Sequence, residues 1–175
     1  MAITRLGGAN AITGTLPAAN INDTSISNIT ALPAGVGGKV LQVVTATHNT
    51  QFNTSSTSFV AVTGLEANIT PSSTSNKVLI LVHFTGRQAD AGKTIDTTIY
   101  RNDTTNLAIQ SSTAMMGLYN VDATDYKGYF NNYLDSPSST SAVNYQVYAK
   151  VDTSSTGGIM VNQNTAVMTL MEIAG

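Results

Sequence analysis

The chain has 175 residues, a net charge of −2 and only 10% charged side chains, against about a quarter in an ordinary soluble domain. Its Lys and Arg are scattered from Arg5 to Lys150, so no basic stripe faces a phosphate backbone, and no apolar run approaches the ~20 residues of a membrane-spanning helix. Cysteine is absent, which excludes disulfides and thiolate metal sites, while Thr, Ser and Asn supply 58 positions.

That last feature points to an all-β fold. Ser and Asn compete with the backbone for hydrogen bonds in helices, Thr is stiff at χ1, and the three residues suit turns and strands respectively. After Arg5 come glycines and alanines and no apolar core segment, so no signal peptide is expected and synthesis in a cytoplasm is the natural inference.

Residues 1–38 carry only Arg5 and Asp23 as charges, with six glycines, Pro17 and Pro33. Their aliphatics are isolated: Ile3, Leu6, Ile12, Leu16, Ile21, Ile26, Ile29 and Leu32. Such spacing closes no core alone. It reads as an arm buried against something else, since a disordered linker carries fewer aliphatics and more charge. A short helix is expected from Asp23 to Leu32, capped by Asn22 or Asp23 and stopped by Pro33. Gly35 to Gly38 forms a hinge.

From Lys39 the pattern is short strands between turn residues, the signature of a sandwich or barrel. Strands are expected at Val40 to Thr45, Phe59 to Thr63 and Glu66 to Ile69, the last followed by Pro71 and a turn through Asn76. Lys77 to Phe84 is apolar on both faces, so it should lie centrally. Thr94 to Arg101 alternates, Asn102-Asp103 turns, and Leu107 to Ser111 returns. Tyr129 to Leu134, Val143 to Val151, Ile159 to Asn162 and Ala166 to Ile173 complete eight to ten strands, within the range of a jelly roll. In the last strand both faces are apolar. One fills the sandwich. The other, with Met168 and Leu170, needs a partner, as does Met160, unless this is simply a central core strand; rotational symmetry in a homo-oligomer would supply that partner.

Candidate chemistry is sparse. His48 and His83 lie 35 positions apart without further ligands, and His83 in its apolar strand reads as a core or interface histidine. Asp90 and Asp96 flank a Gly-containing loop; paired carboxylates serve glycoside hydrolysis, but solvated loop acids are the commoner case. Asp122 and Asp125 lack calcium-loop spacing and a closing Glu. No serine has a nucleophile elbow. No catalytic residue, metal site or cofactor is therefore assigned, and the chain reads as a non-enzyme. Tyr129, Tyr133 and Tyr145 read as strand packing, whereas Tyr119 and Tyr126, in an expected loop, are the candidates for a surface contact.

Several stretches resemble a domain common in tail fibres and fibre-like virion proteins of marine bacteriophages. These are Gly38 to Val44 (GKVLQVV), the Thr-rich stretch before Phe59, Ile69 to Ile80 (ITPSSTSNKVLI), Tyr133 to Tyr145 (YLDSPSSTSAVNY) and Met168 to Ile173 (MTLMEI). Gly14 to Ile21 (GTLPAANI) looks like the lead-in segments of those proteins. The motifs mark strands and turns, and no functional residue carries over from them. The resemblance implies a jelly-roll β-sandwich similar to complement C1q-like domains, assembled as a homotrimer in the virion. Residues 1–38 would anchor it to other virion proteins of capsid or tail. Residues 39–175 would form the trimerisation and surface domain, with Met160, Met168 and Leu170 at the trimer interface. The readings that follow are a surface fibre that adheres to host glycans, a capsid decoration or head-fibre protein that stabilises the shell, and, from another class, a small polysaccharide depolymerase. A free cytoplasmic binding module is disfavoured by the low charge and the arm. Neither nucleic acid nor membrane insertion is expected.

Overall fold

The computed structural model describes residues 39–108, 114–122, 126–153, 155–160 and 164–175. The arm residues Ile3, Leu6, Ile12, Leu16, Ile21, Ile26, Ile29 and Leu32, and the helix expected among them, lie outside the described residues. Among the described residues there are eleven strands and no helix. They are β1 (Val40–His48), β2 (Phe52–Thr54), β3 (Val60–Ile69), β4 (Lys77–Gln88), β5 (Lys93–Arg101), β6 (Thr105–Asn106), β7 (Met116–Asn120), β8 (Tyr126–Asp135), β9 (Val143–Val151), β10 (Gly157–Ile159) and β11 (Ala166–Ile173).

All pairings are antiparallel. One sheet runs β1-β11-β4-β8. Because β8 fills one whole edge of β4, β10 must pair with the far end of β4 on the same edge as β11, and β2 pairs with β10. The second sheet runs β3-β9-β5, with β6 and β7 sharing the free edge of β5. Counting only β1, β3, β4, β5, β7, β8, β9 and β11 as first to eighth, the sheets read 1-8-3-6 and 2-7-4-5. Successive strands, the fourth and fifth excepted, cross between the sheets in the double Greek-key wind of a jelly roll.

Sequence alternation explains which side of each strand is buried. On β9, Val143, Tyr145, Val147, Ala149 and Val151 point inward, as their period of two requires. All but Val151 belong to one core cluster with Val78, Ile80, Val82 and Phe84 of β4. The expected segments Phe59 to Thr63 and Glu66 to Ile69 are one strand, β3, with a register shift between Ala61 and Glu66. Gly64 sits in this shift at φ 84°, and a Cβ there would strike the His48 imidazole. Only glycine fits both the backbone and the ring.

The last strand differs from expectation. Met168 and Leu170 are 0% exposed and belong to the chain's own core, and so is Met160. None of the three is available to a second subunit. The inward side of β11 also contains Glu172, a residue that ordinarily marks a solvent face. It is tolerated because its Oε1 accepts from Ser72 N at 2.6 Å, Ser72 Oγ at 2.7 Å and Asn76 Nδ2 at 2.6 Å. Burial alone would raise the Glu172 carboxyl, but the Asn76 and Ser72 side chains and the Ser72 amide together hold it below the usual value.

A second buried carboxylate closes the same end. Glu172 of β11 and Asp135 of β8 both register with Val78 of β4. Asp135 accepts from Arg101 Nη1 at 2.9 Å on each oxygen and from the Tyr145 hydroxyl at 2.7 Å. Since Arg101 and Tyr145 lie on β5 and β9, this cluster ties the two sheets together. The opposite end is held by Gln88, which donates to Thr94 O and Ser155 Oγ at 3.0 Å and whose carbonyl accepts from Asn120 Nδ2 at 2.7 Å.

Candidate functional site

The outward faces of the two sheets differ in chemistry. On the β1-β11-β4-β8 sheet, strand registry aligns Val43, Met171, Leu79 and Leu134 in one apolar row across all four strands. A parallel row is Thr47, Val167, His83 and Phe130. Tyr126, Phe130 and Leu134 recur at every fourth position of the edge strand β8 and are 48%, 54% and 48% exposed, and Val43 is 56% exposed. Gly128 lies among them, and a Cβ added there would meet nothing within 4 Å. The ionisable side chains that these four strands turn outward are Lys77, His83 and Arg87 of β4 and the Tyr126 phenol. Glu172 and Asp135, the only carboxylates in those strands, point inward. The face therefore carries two rows rich in apolar side chains with Thr45, Thr169, Leu81 and Asn132 between them, weak positive charge and no acid.

The outward face of the β3-β9-β5 sheet is mixed. Tyr100 and Tyr148 pack at a centroid distance of 4.1 Å, Phe59 lies 6.3 Å from Tyr100, and Lys150 Nζ sits 4.8 Å from the Phe59 ring centre. Each ring thus spends a face on its neighbour. Desolvation, then the hydrogen bond to Asp103 at 3.1 Å, pushes the Tyr148 phenol up to about 12. Asn144 donates to Glu66 and Asn68 at 3.1 Å, completing a polar surround.

Tyr119 and Tyr126 are exposed, as a surface contact needs, at 60% and 48%. They are strand residues, not loop residues, and stand on different sheets: Tyr119 on β7, Tyr126 at the start of β8 with the Arg87 guanidinium 5.6 Å from its ring centre. Tyr129 and Tyr145 are buried and Tyr133 packs against the core, as their strand positions require.

The acid pair does not assemble into a hydrolytic site. Asp96 is in mid-strand on β5 beside Lys150 at 3.9 Å, whereas Asp90 is in the exposed β4–β5 loop. Burial raises the Asp96 carboxyl, Lys150 opposes this and Asp152 reinforces it. Asp122 is exposed and Asp125 lies outside the described residues. Among the described residues no three His, Asp or Glu side chains gather in a way that could hold a metal ion. His48, Thr47, Asn49 and Thr165 line a small polar hollow of about 180 Å³. The apolar rows were hidden from sequence reading because they depend on registry between strands far apart in the chain, though Tyr126, Phe130 and Leu134 at spacing four on one strand were a visible signal.

No protein-family model and no curated protein matches the chain. Solved structures of infectious bursal disease virus do. The chain is similar to the T13 viral particle at 14% identity and TM-score 0.43, covering 76% of this chain and 36% of that one. It is similar to the VP2 subviral particle at 18% identity and TM-score 0.44, covering 76% and 37%. For the Gt strain the values are 15%, 0.43, 77% and 38%. The chain spans less than two-fifths of those chains. The likeness is distant; the jelly-roll assignment rests on the strand pairing described above.

Proposed function

We propose that this chain is a structural subunit of a virus particle, a trimeric bacteriophage fibre displayed on the surface and anchored to other virion proteins by residues 1–38. The observation that carries the reading is the pairing of a charge-poor jelly roll with a row of apolar side chains that crosses one outward sheet face. Apolar side chains aligned from Val43 to Leu134 across four strands suit a surface that is covered in an assembly. The motif resemblance to fibre-like virion proteins supplies the class of assembly. Host-surface glycan is the ligand of the displayed end in this reading, with the exposed ring of Tyr119 as the contact; Tyr126, the other candidate, stands on the other sheet beside Phe130 and Leu134. The chain performs no catalysis in this reading.

The test is to purify virus particles from cultures in which the chain is expressed, identify their proteins by mass spectrometry, and label them with gold-tagged antibody to the chain. Its presence at a stoichiometric level supports the proposal, and the label distinguishes a tail or head fibre from a protein that coats and stabilises the shell. Absence from purified particles would overturn it.

A further inference from the structure

We propose that Arg87 and Tyr126, at one end of the β4–β8 pair, form a binding site for a carboxylate-bearing sugar, so that the glycan this chain contacts is an acidic one. This rests on the reading of the chain as a displayed subunit that touches host glycan. It adds a second contact besides Tyr119 and the charge of the ligand.

Strand registry builds the site. Arg87 of β4 and Tyr126 of β8 are cross-strand partners. The guanidinium carbon lies 5.6 Å from the Tyr126 ring centre, and Tyr126 remains 48% exposed. Two residues further on the same side of β8 is Gly128, exposed, where an added Cβ would meet nothing within 4 Å. The place beside the ring is therefore open and not filled by a side chain. β11 leaves β4 at His83, so at this end β4 is flanked by β8 and the short β10. The apolar row from Val43 to Leu134 crosses β4 at Leu79, about 26 Å along the strand from Arg87. An assembly contact at that row and a ligand at Arg87 can coexist.

The charge of Arg87 is uncompensated. Arg101 pairs with Asp135, and Lys150 with Asp96. Among the described residues Arg87 has neither an ion pair nor a hydrogen-bond acceptor, and its Nε is buried without one. Neither β4 nor β10 contains a carboxylate, and the one on β8, Asp135, points inward. The nearest other ionisable side chain that β4 turns outward, His83, is about 13 Å along the strand. Arg87 is thus a point of positive charge and not part of a basic stripe, whereas a nucleic-acid backbone asks for clustered cations. A guanidinium offers parallel N–H donors that match a carboxylate. A tyrosine ring offers a flat apolar face for the C–H side of a pyranose, and a hydroxyl for one of its substituents. One cation beside one open ring suits one charged sugar unit.

The test is calorimetric titration of the full chain with short oligomers of galacturonate, glucuronate and mannuronate, and with their methyl esters, which keep the sugar and remove the charge. Arg87→Gln removes the cation, Tyr126→Ala the ring, and Lys77→Gln a cation at the other end of β4 on the same side. Circular dichroism checks that each variant is folded. At least one uronate should bind the wild type about tenfold more tightly than its ester, the size of one charge-assisted pair, and Arg87→Gln should lose that advantage. Tyr126→Ala should weaken acid and ester alike, and Lys77→Gln should change neither. Acid and ester bound equally, or a folded Arg87→Gln that binds like wild type, would overturn the site and leave a neutral-glycan contact at Tyr119 standing. Equal losses in Arg87→Gln and Lys77→Gln would overturn it as well, since general attraction to cations then suffices. Inorganic phosphate or thymidine oligonucleotide bound as tightly as the best uronate would overturn the assignment to sugar. No binding of any sugar would overturn both this site and the glycan reading, while the chain's place in the particle is tested separately by its presence there.

Discussion

Replacing Asp135 by Asn tests how the sandwich holds its two sheets at one end. The side chain is 7% exposed and accepts two bonds from Arg101 and one from Tyr145. A hydrogen bond to a charged group contributes about 1.5–3 kcal/mol, and removing one partner of a buried ion pair costs about 3–5 kcal/mol. Arg101 keeps 24% side-chain exposure, so water can take over part of the lost interaction and the cost falls to the low end, about 3 kcal/mol. In a chain of this length that lowers the midpoint of thermal unfolding by roughly 6–12 °C. Tyr145→Phe removes one hydrogen bond to the same carboxylate and should cost about 1–2 kcal/mol. The two changes share an acceptor, so the double variant should lose less than the sum, by about 1 kcal/mol. Urea unfolding of the four proteins at neutral pH measures all of this. An Asp135→Asn variant within about 0.5 kcal/mol of wild type would refute the reasoning, because a surface substitution of no structural consequence does the same.

Glu172 should set part of the acid limit of stability. Its carboxyl lies lower in the folded than in the unfolded chain, so its contribution is fully present above about pH 4.3 and is lost as pH falls through the folded value. Glu172→Gln should lower stability at neutral pH and flatten this acid limb, as read from thermal midpoints across a pH series. Gly157→Val should destabilise by about 1–3 kcal/mol, since a Cβ there comes within 2.6 Å of Ile95 Cδ1 and 3.0 Å of Val151 Cγ1 in a packed core; urea midpoints check it. Gln88→Ala leaves Ser155 Oγ without its donor and Thr94 O with the Asp152 amide at 3.3 Å, and should cost about 1–3 kcal/mol, read from urea midpoints.

Much of the fold was legible because its strongest strands obey a single rule. Val143 to Val151 and Ala166 to Ile173 have the bounds that alternation gives them. Lys77 to Phe84, apolar on both faces, is flanked on both edges, and Asn102-Asp103 forms its turn with φ of 50° and 59°. The short strands β2 and β7 escaped notice because three to five residues give too little period to read. Gly64 split one strand into two for a reader of sequence, although β3 runs through it with a register shift. The expected outward placement of Met168 and Leu170 failed for a sharper reason. Both faces of β11 are apolar, and the single acid, Glu172, marks as outward the face that is inward. Ser72 and Asn76, about 100 positions earlier, make its burial possible, and no local pattern announces a partner at that distance. The outward side is instead the opposite parity of the same strand, Val167 to Ile173, beside residues of β1 and β4.

Native mass spectrometry of the full chain at neutral pH tests the central claim most directly. A structural subunit of the proposed kind gives three copies of the chain in one particle. A single copy at every concentration would contradict it, since the apolar face would then stand uncovered in water.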